Sequence, residues 1–216
     1  MPIIMNRSNV QIAGLIVLTS GVVLSAGCVK KSEYEALEAK YNEALSTQGE
    51  LVETVEMQDA AISEMEADFV VLTEIFADEI ENQALQLEQL VDGIEVEIPS
   101  DVMFKSGSPR PEVGSEGLEY VAKLAGFLAE NDYFVSVIGH TDNQKVSPKL
   151  AKKYPSNWHL AGARAAGAAK YLVSKGVDPT QVVASSRGQY APVASNKTQE
   201  GRAQNRRIQI ILRDLP

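Results

Sequence analysis

The sequence of 216 residues contains one cysteine and two histidines. These side chains are too few for a typical zinc site, so we expect no metal and no cofactor. His140 and His159 lie in the same region as Ser156, but no Gly-x-Ser-x-Gly nucleophile elbow accompanies them. Without that elbow a hydrolytic triad has little support, and we predict that the chain is not an enzyme.

Residues 33–92 lack proline and contain one glycine, Gly49, so little in this segment forces a turn. Alternate steps of three and four residues from Tyr34 to Glu79 reach 14 positions, of which 11 are apolar. These positions form one narrow apolar stripe along the helix, the seam. A seam with this period needs a partner helix, because a single helix cannot bury it. We expect a coiled coil over 33–92 that forms a homo-oligomer or recruits another helical protein. A hairpin broken at 46–49 is the alternative.

Beyond Phe76 the apolar residues of this segment fall mostly four positions apart. They are Ile80, Ala84, Leu87 and Val91. We interpret this change of spacing as a stutter, which locally unwinds a supercoil without ending the helix.

Charge is divided unevenly along the chain. Residues 33–97 carry 19 acidic side chains against one basic, whereas residues 99–216 carry 10 acidic against 16 basic. The acidic excess is typical of the solvated face of a helix. The basic excess is spread over a domain without any RNA or DNA motif, so nucleic acid is not an expected partner.

The first 27 residues predict an export signal. Four polar side chains interrupt the apolar run 10–27, and Ser25-Ala26-Gly27 stand directly before Cys28. This arrangement resembles the lipobox of bacterial lipoproteins, which implies a signal peptide over 1–27 and acyl chains such as palmitate on Cys28, with a linker to residue 32. Val29, rather than an aspartate, follows the cysteine, and the resemblance to sorted lipoproteins therefore implies the periplasmic face of the outer membrane. An uncleaved anchor in the inner membrane is the alternative.

From Ile94 onward the chain has the pattern of a compact domain. Alternation through 94–98 predicts a strand, and further strands are predicted over 133–139, 182–185 and 207–212. Helices are predicted after Ser115 and over 156–174. The order strand, helix, strand, helix, strand, strand predicts an α/β sandwich over 94–213, with helices packed on a mixed sheet.

Three motifs in this domain resemble the OmpA C-terminal domain family, in family order. They are Ile138-Gly139-His140-Thr141-Asp142, Leu160-Ala161-Gly162-Ala163-Arg164-Ala165, and Asn196-Lys197-Thr198-Gln199-Glu200-Gly201-Arg202-Ala203-Gln204-Asn205-Arg206-Arg207-Ile208. The segment Tyr154-Pro155-Ser156-Asn157-Trp158 is similar to the flagellar stator B subunit branch. The resemblance implies an OmpA-like βαβαββ fold that binds peptidoglycan without covalent attachment.

In that family the domain holds the diaminopimelate of the stem peptide, whose free end carries an ammonium and a carboxylate. The resemblance assigns Asp142 to the ammonium and Arg164 to the carboxylate, since a guanidinium can donate two parallel hydrogen bonds. Thr141, Asn157 and Arg206 match further positions of the family pocket. An ordinary salt bridge or cap is the alternative for Asp142 and Arg164.

The sequence departs from the family pattern in two places. Ala161 stands where a serine is usual, and the loop 144–153 is longer than the common one. The leading expectation remains a lipoprotein that tethers the outer membrane to the wall. The resemblance at Ser156-Asn157-Trp158 suggests one alternative, a motility-associated component. It would not conduct protons, because no Asp or Glu lies within 10–27. A partner-binding module acting through the helix is another.

Overall fold

The computed structural model describes residues 30–105 and 108–215, so Cys28 and the expected signal peptide lie outside the described residues. The helices are α1 (Lys31–Ile75), α2 (Ala77–Glu81), α3 (Glu116–Leu128), α4 (Pro148–Ala151), α5 (Asn157–Ser174) and α6 (Gln199–Asn205). The strands are β1 (Gln86–Leu90), β2 (Gly93–Pro99), β3 (Tyr133–His140), β4 (Val182–Gly188) and β5 (Arg207–Asp214). A 3-10 turn, Ser100–Val102, follows β2. None of the helices within the described ranges is both long and apolar enough to cross a membrane.

The chain divides into two compact units, residues 1–51 and 52–216. In the first unit the described residues are helical from Lys31 onward, and all of them are exposed. The helix α1 runs unbroken through 46–49, so the hairpin alternative is wrong. A single glycine costs only about 1 kcal/mol within a helix, which the surrounding good helix formers can tolerate.

The second unit contains a five-stranded mixed sheet with the order β1-β2-β5-β3-β4. Neighbouring strands are antiparallel except β3 and β4, which are parallel. Parallel neighbours need a crossover, and α5 supplies it on the way from β3 to β4. The predicted α/β sandwich with helices packed on a mixed sheet, preceded by a long helix, is confirmed.

Alternation along the strands directs one set of side chains into the core. Ile94, Val96 and Ile98 of β2 are fully buried, whereas Glu95 and Glu97 between them are half-buried. Successive strand residues point to opposite faces, so the apolar set of β2 joins those of the neighbouring strands in one cluster. The apolar faces of α3 and α5 complete this cluster.

The prediction of helix as far as residue 92 is wrong. After α2 the backbone takes a left-handed conformation at Gln83 (φ 55°), and β1 then pairs antiparallel with β2. Leu90 pairs with Gly93, which leaves a two-residue turn ending at Asp92. A two-residue turn between paired antiparallel strands makes a β-hairpin, and this pairing outweighs the helical spacing because it places Leu87 opposite Val96 at the core.

The apolar seam of α1 divides into two parts. Met65 and Leu72 are buried in the core of the second unit, as is Phe76 directly after the helix, and Phe69 packs against them. The earlier seam positions are exposed in the single chain: Tyr34, Leu37, Tyr41, Leu51, Val55 and Ile62. The later part of the seam therefore packs against its own domain, and only the earlier part lacks a partner within the described residues.

Candidate functional site

Strand directions bring three connecting segments together at one end of the sheet. Because β5 is antiparallel to both of its neighbours, it begins where they end: Pro99 of β2 pairs with Arg207, and Gly139 of β3 pairs with Ile208. The loops after β2 and β3 and the residue before β5 therefore meet at this end. They carry Asp101, Thr141, Asp142 and Arg206.

Arg206 joins two carboxylates. Its Nη1 donates to Oδ2 of Asp142 at 2.8 Å, while its Nε and Nη2 donate to the two oxygens of Asp101 at 3.2 and 2.7 Å. The other oxygen of Asp142 accepts from the backbone N–H of Gln144 at 3.0 Å. The hydrogen bonds to Asp101 and then to Asp142 raise the pKa of Arg206 above its ordinary value. The three side chains together carry a net charge of −1, since the guanidinium always stays protonated.

Arg164 supplies a separate buried cation near this acidic group. It is 4% exposed, its Nε donates to the carbonyl of Ser108 at 3.0 Å, and its guanidinium carbon lies 5.1 Å from the centre of the Phe104 ring. Burial lowers the pKa of Arg164, while the nearby charges of Asp101 and Asp142 oppose that shift. Among the residues that the structure describes, Arg164 forms no ion pair. A buried cation without a counterion is costly, so this guanidinium is suited to receive an anion.

Asn157 and Thr141 have different roles. The Nδ2 of Asn157 lies within hydrogen-bond distance of the Asp142 carbonyl (3.2 Å), the Gln144 carbonyl (2.9 Å) and the Gln189 side chain (2.7 Å). The two N–H groups of that amide are therefore occupied, and they hold the loops together. Thr141 is buried, and its hydroxyl has no hydrogen-bond partner within the described part of the chain. An orphaned hydroxyl in this position is available to a ligand.

Ala161 lies where α5 packs against β3. Ala161 is fully buried, and a Cβ added to Gly139 would lie 2.1 Å from the Ala161 carbonyl oxygen. The helix therefore rests directly on the strand at this point, and glycine is required there. Ala161 makes this contact through its backbone.

The three residues considered for a triad do not come together. His140 hydrogen-bonds to Gln209 of β5 at 3.0 Å, whereas Ser156 and His159 contact each other at the start of α5 at 2.8 Å. Burial, with a contribution from Arg207, lowers the pKa of His140 to about 4. His140 is thus a neutral, buried residue of the sheet.

We expect His140 to make the protein sensitive to acid. The unfolded chain takes up the histidine proton near pH 6.5, whereas the folded chain does so only near pH 4, so acidification between these values favours unfolding. The loss amounts to about 2–3 kcal/mol between pH 7 and pH 4. Urea unfolding of His140→Gln at several pH values should show a shallower decline than the parent, whereas His159→Gln should follow the parent. Parallel curves for parent and His140→Gln would contradict the assignment.

Sequence reasoning missed Asp101 and the carbonyl of Ser108. Asp101 lies 105 residues before Arg206 along the chain, in a turn whose side chains have no motif of their own. Only the antiparallel pairing of β2 with β5 reveals the proximity of Asp101 and Arg206.

Comparison with known proteins agrees with the resemblance seen in the three motifs. Residues 103–206 match the OmpA family. Outer membrane protein A of Bordetella avium is 52% identical over 107 residues, which are 50% of this chain and 50% of the relative. Motility protein B of Bacillus subtilis (strain 168) is 31% identical over 130 residues, which are 59% of this chain and 48% of the relative. The chain therefore spans about half the length of these curated relatives.

Among solved structures, the cell wall anchor of the T6SS from Pseudomonas aeruginosa superimposes with a TM-score of 0.61 at 34% identity. The match covers 67% of this chain and 97% of that chain. The resemblance seen in the three motifs is thus confirmed, including the similarity to motility protein B. Through residues 103–206 the chain belongs to the OmpA family.

Proposed function

We propose that this protein binds peptidoglycan non-covalently through the diaminopimelate of its stem peptide. The observation that carries the proposal is the buried, unpaired guanidinium of Arg164 near an acidic group of net charge −1. The free end of diaminopimelate is a zwitterion with an ammonium and a carboxylate on one carbon. Its two charges complement the two parts of the site.

The ligand carboxylate accepts hydrogen bonds from the Arg164 guanidinium, which thereby gains the counterion that it lacks among the described residues. The ligand ammonium lies against Asp142 and Asp101, which share one arginine and so retain an excess negative charge. The orphaned hydroxyl of Thr141 provides a neutral hydrogen bond. In this proposal Arg206 positions the two aspartates and does not bind the ligand itself.

The test is co-sedimentation of the full chain in detergent with two purified walls, one containing diaminopimelate and one containing lysine. Lysine lacks the second carboxylate, so binding to the lysine wall is expected to be weak. Free meso-diaminopimelate should displace the chain from the first wall, and free lysine should not. Equal binding to both walls, or no displacement, would contradict the proposed ligand.

We further propose that lipid on Cys28 anchors the chain to the outer membrane, so that the protein joins membrane and wall. The support is the run of small residues before the single cysteine, Val29 after it, and the relationship to an outer membrane protein. Cys28→Ala is expected to move the chain from the membrane fraction to the soluble periplasmic fraction. Retention of the variant in the inner membrane would instead favour an uncleaved signal anchor.

The exposed part of the α1 seam supports a further proposal, self-association through that part. Tyr34, Leu37 and Tyr41 are each more than 60% exposed in the single chain, at spacings that a second helix can cover. Sedimentation equilibrium of the chain in detergent measures this, and a monomeric mass at all concentrations would contradict it.

A motility-associated role is the second candidate function. The observation that favours it is the 31% identity with motility protein B of Bacillus subtilis. Proton conduction is not part of this candidate, because the apolar run 10–27 contains no carboxylate.

A further inference from the structure

A second feature lies next to the diaminopimelate site. A cavity of about 730 Å³ opens between the segment 108–110 and the helix α4. The helix α4 lies within the long loop 144–153. Its lining includes the basic residues Arg110, Lys149 and Lys153 and contains no acidic residue. The sequence around it continues this bias, since residues 143–177 hold seven basic and no acidic side chains.

The three cations have no counterion among the residues that the structure describes. Within the described ranges, none of Arg110, Lys149 and Lys153 forms an ion pair. Three like charges around one cavity repel one another, and an anion between them relieves that repulsion. The cavity is therefore complementary to an anionic group.

One wall of the cavity is fixed by packing. A Cβ added to Gly167 of α5 would lie 2.9 Å from Cδ of Pro111, so this segment rests closely on the helix. Phe104 and Pro111 form an isolated antiparallel β-bridge, and the N–H of Glu112 donates a hydrogen bond to the Met103 carbonyl at 2.9 Å. These contacts hold the segment in a defined position next to α5.

Ser108 connects this cavity to Arg164. Ser108 lines the cavity, and its carbonyl accepts the hydrogen bond from Arg164 at 3.0 Å. A wall peptide whose diaminopimelate end is held by Arg164 therefore brings its neighbouring residue to this cavity. In such a peptide the neighbouring residue is a γ-linked glutamate, and that linkage leaves its α-carboxylate free.

We propose that this cavity binds the free α-carboxylate of the γ-linked glutamate in the same stem peptide. The inference rests on the proposed function and extends it, because it predicts that the protein distinguishes walls with a free glutamate carboxylate from walls in which that carboxylate is amidated. Amidation removes the charge that Lys149 and Lys153 face.

The test is calorimetric titration of the full chain in detergent with three ligands. They are meso-diaminopimelate, the tripeptide L-Ala-γ-D-Glu-meso-diaminopimelate, and the same tripeptide with the glutamate α-carboxylate amidated. The parent is expected to bind the free tripeptide about tenfold more tightly than the amidated one, the effect of about one charge-assisted hydrogen bond. In the double variant Lys149→Gln/Lys153→Gln this ratio should fall to about one. Lys170→Gln/Lys175→Gln, which loses the same charge elsewhere, should retain it.

The possible failures can be told apart. A parent that binds none of the three ligands would overturn both the proposed function and this inference. A parent that binds all three, with equal affinity for the two tripeptides, would overturn the inference alone. A loss of preference in the Lys170/Lys175 control would also overturn it, because net charge would then explain the effect. Loss of binding to anionic lipid vesicles in Lys149→Gln/Lys153→Gln, with the tripeptide ratio unchanged, would assign the cavity to a membrane surface and overturn it.

Discussion

Replacing Arg164 with alanine is expected to weaken binding to the diaminopimelate wall by about 100-fold, since hydrogen bonds to a charged group contribute about 1.5–3 kcal/mol. The change removes the one buried cation that has no ion pair in the described structure. Arg164→Lys is expected to lose about tenfold, because an ammonium keeps the charge but cannot form two parallel hydrogen bonds with a carboxylate. Co-sedimentation over a range of wall concentrations gives both values.

Arg213→Ala is the matched control for this series. Arg213 forms an exposed ion pair with Asp92 at 2.9 Å, beside the turn between β1 and β2 and far along the sheet from Arg164. Its removal should leave wall binding unchanged. Circular dichroism of each variant shows whether the fold persists. A folded Arg164→Ala protein that sediments like the parent would refute the assignment of Arg164 to the ligand carboxylate.

The sequence was a good guide to the elements that bear the site. The helix beginning near Asn157 and the strand ending near Asp142 were predicted because their apolar patterns are strong and local. Motif order then placed Asp142 and Arg164 in one family pocket. The structure brings them close enough for the Asp142 charge to act on Arg164.

The partners of these residues could not be predicted in the same way. Asp101 binds Arg206 only because β2 and β5 are neighbours in the sheet, and strand order is a property of the whole fold. The same contact shows that Arg206 bridges two aspartates, and its expected place in the pocket remains a prediction. The amide N–H groups of Asn157 join loops, and the expected place of Asn157 in the pocket likewise remains a prediction.

The end of the long helix shows a second reason why prediction from the sequence alone was wrong. Apolar residues at helical spacing do not reveal whether their partner is another chain or the domain that follows. Leu72 and Phe76 fit a coiled-coil seam in the sequence, yet in the structure they belong to the core of the second unit. Leu87 fits the same seam but lies in a strand opposite Val96.

Phe76→Ala is accordingly expected to destabilise the second unit by about 3–5 kcal/mol, a large share of the stability of a typical domain. Phe76 is fully buried in the same cluster as Leu72 and Leu85, and Nζ of Lys123 lies 5.9 Å from the centre of its ring. Alanine would leave a cavity that the strands cannot close. For a unit of this size, the transition temperature should fall by about 10 °C.

Val70→Ala provides the comparison, because Val70 lies in the last part of α1, close before Phe76 in the sequence, and is 56% exposed. It should change the free energy of unfolding by less than about 0.5 kcal/mol. If α1 were only a spacer, with its apolar residues reserved for another chain, both variants would unfold like the parent when measured as dilute monomers. A large loss confined to Phe76→Ala would mean that the fold of the second unit depends on residues before β1. A fragment starting at Ile94 would then lack Leu72, Phe76 and Leu85 and would be less stable than the intact chain.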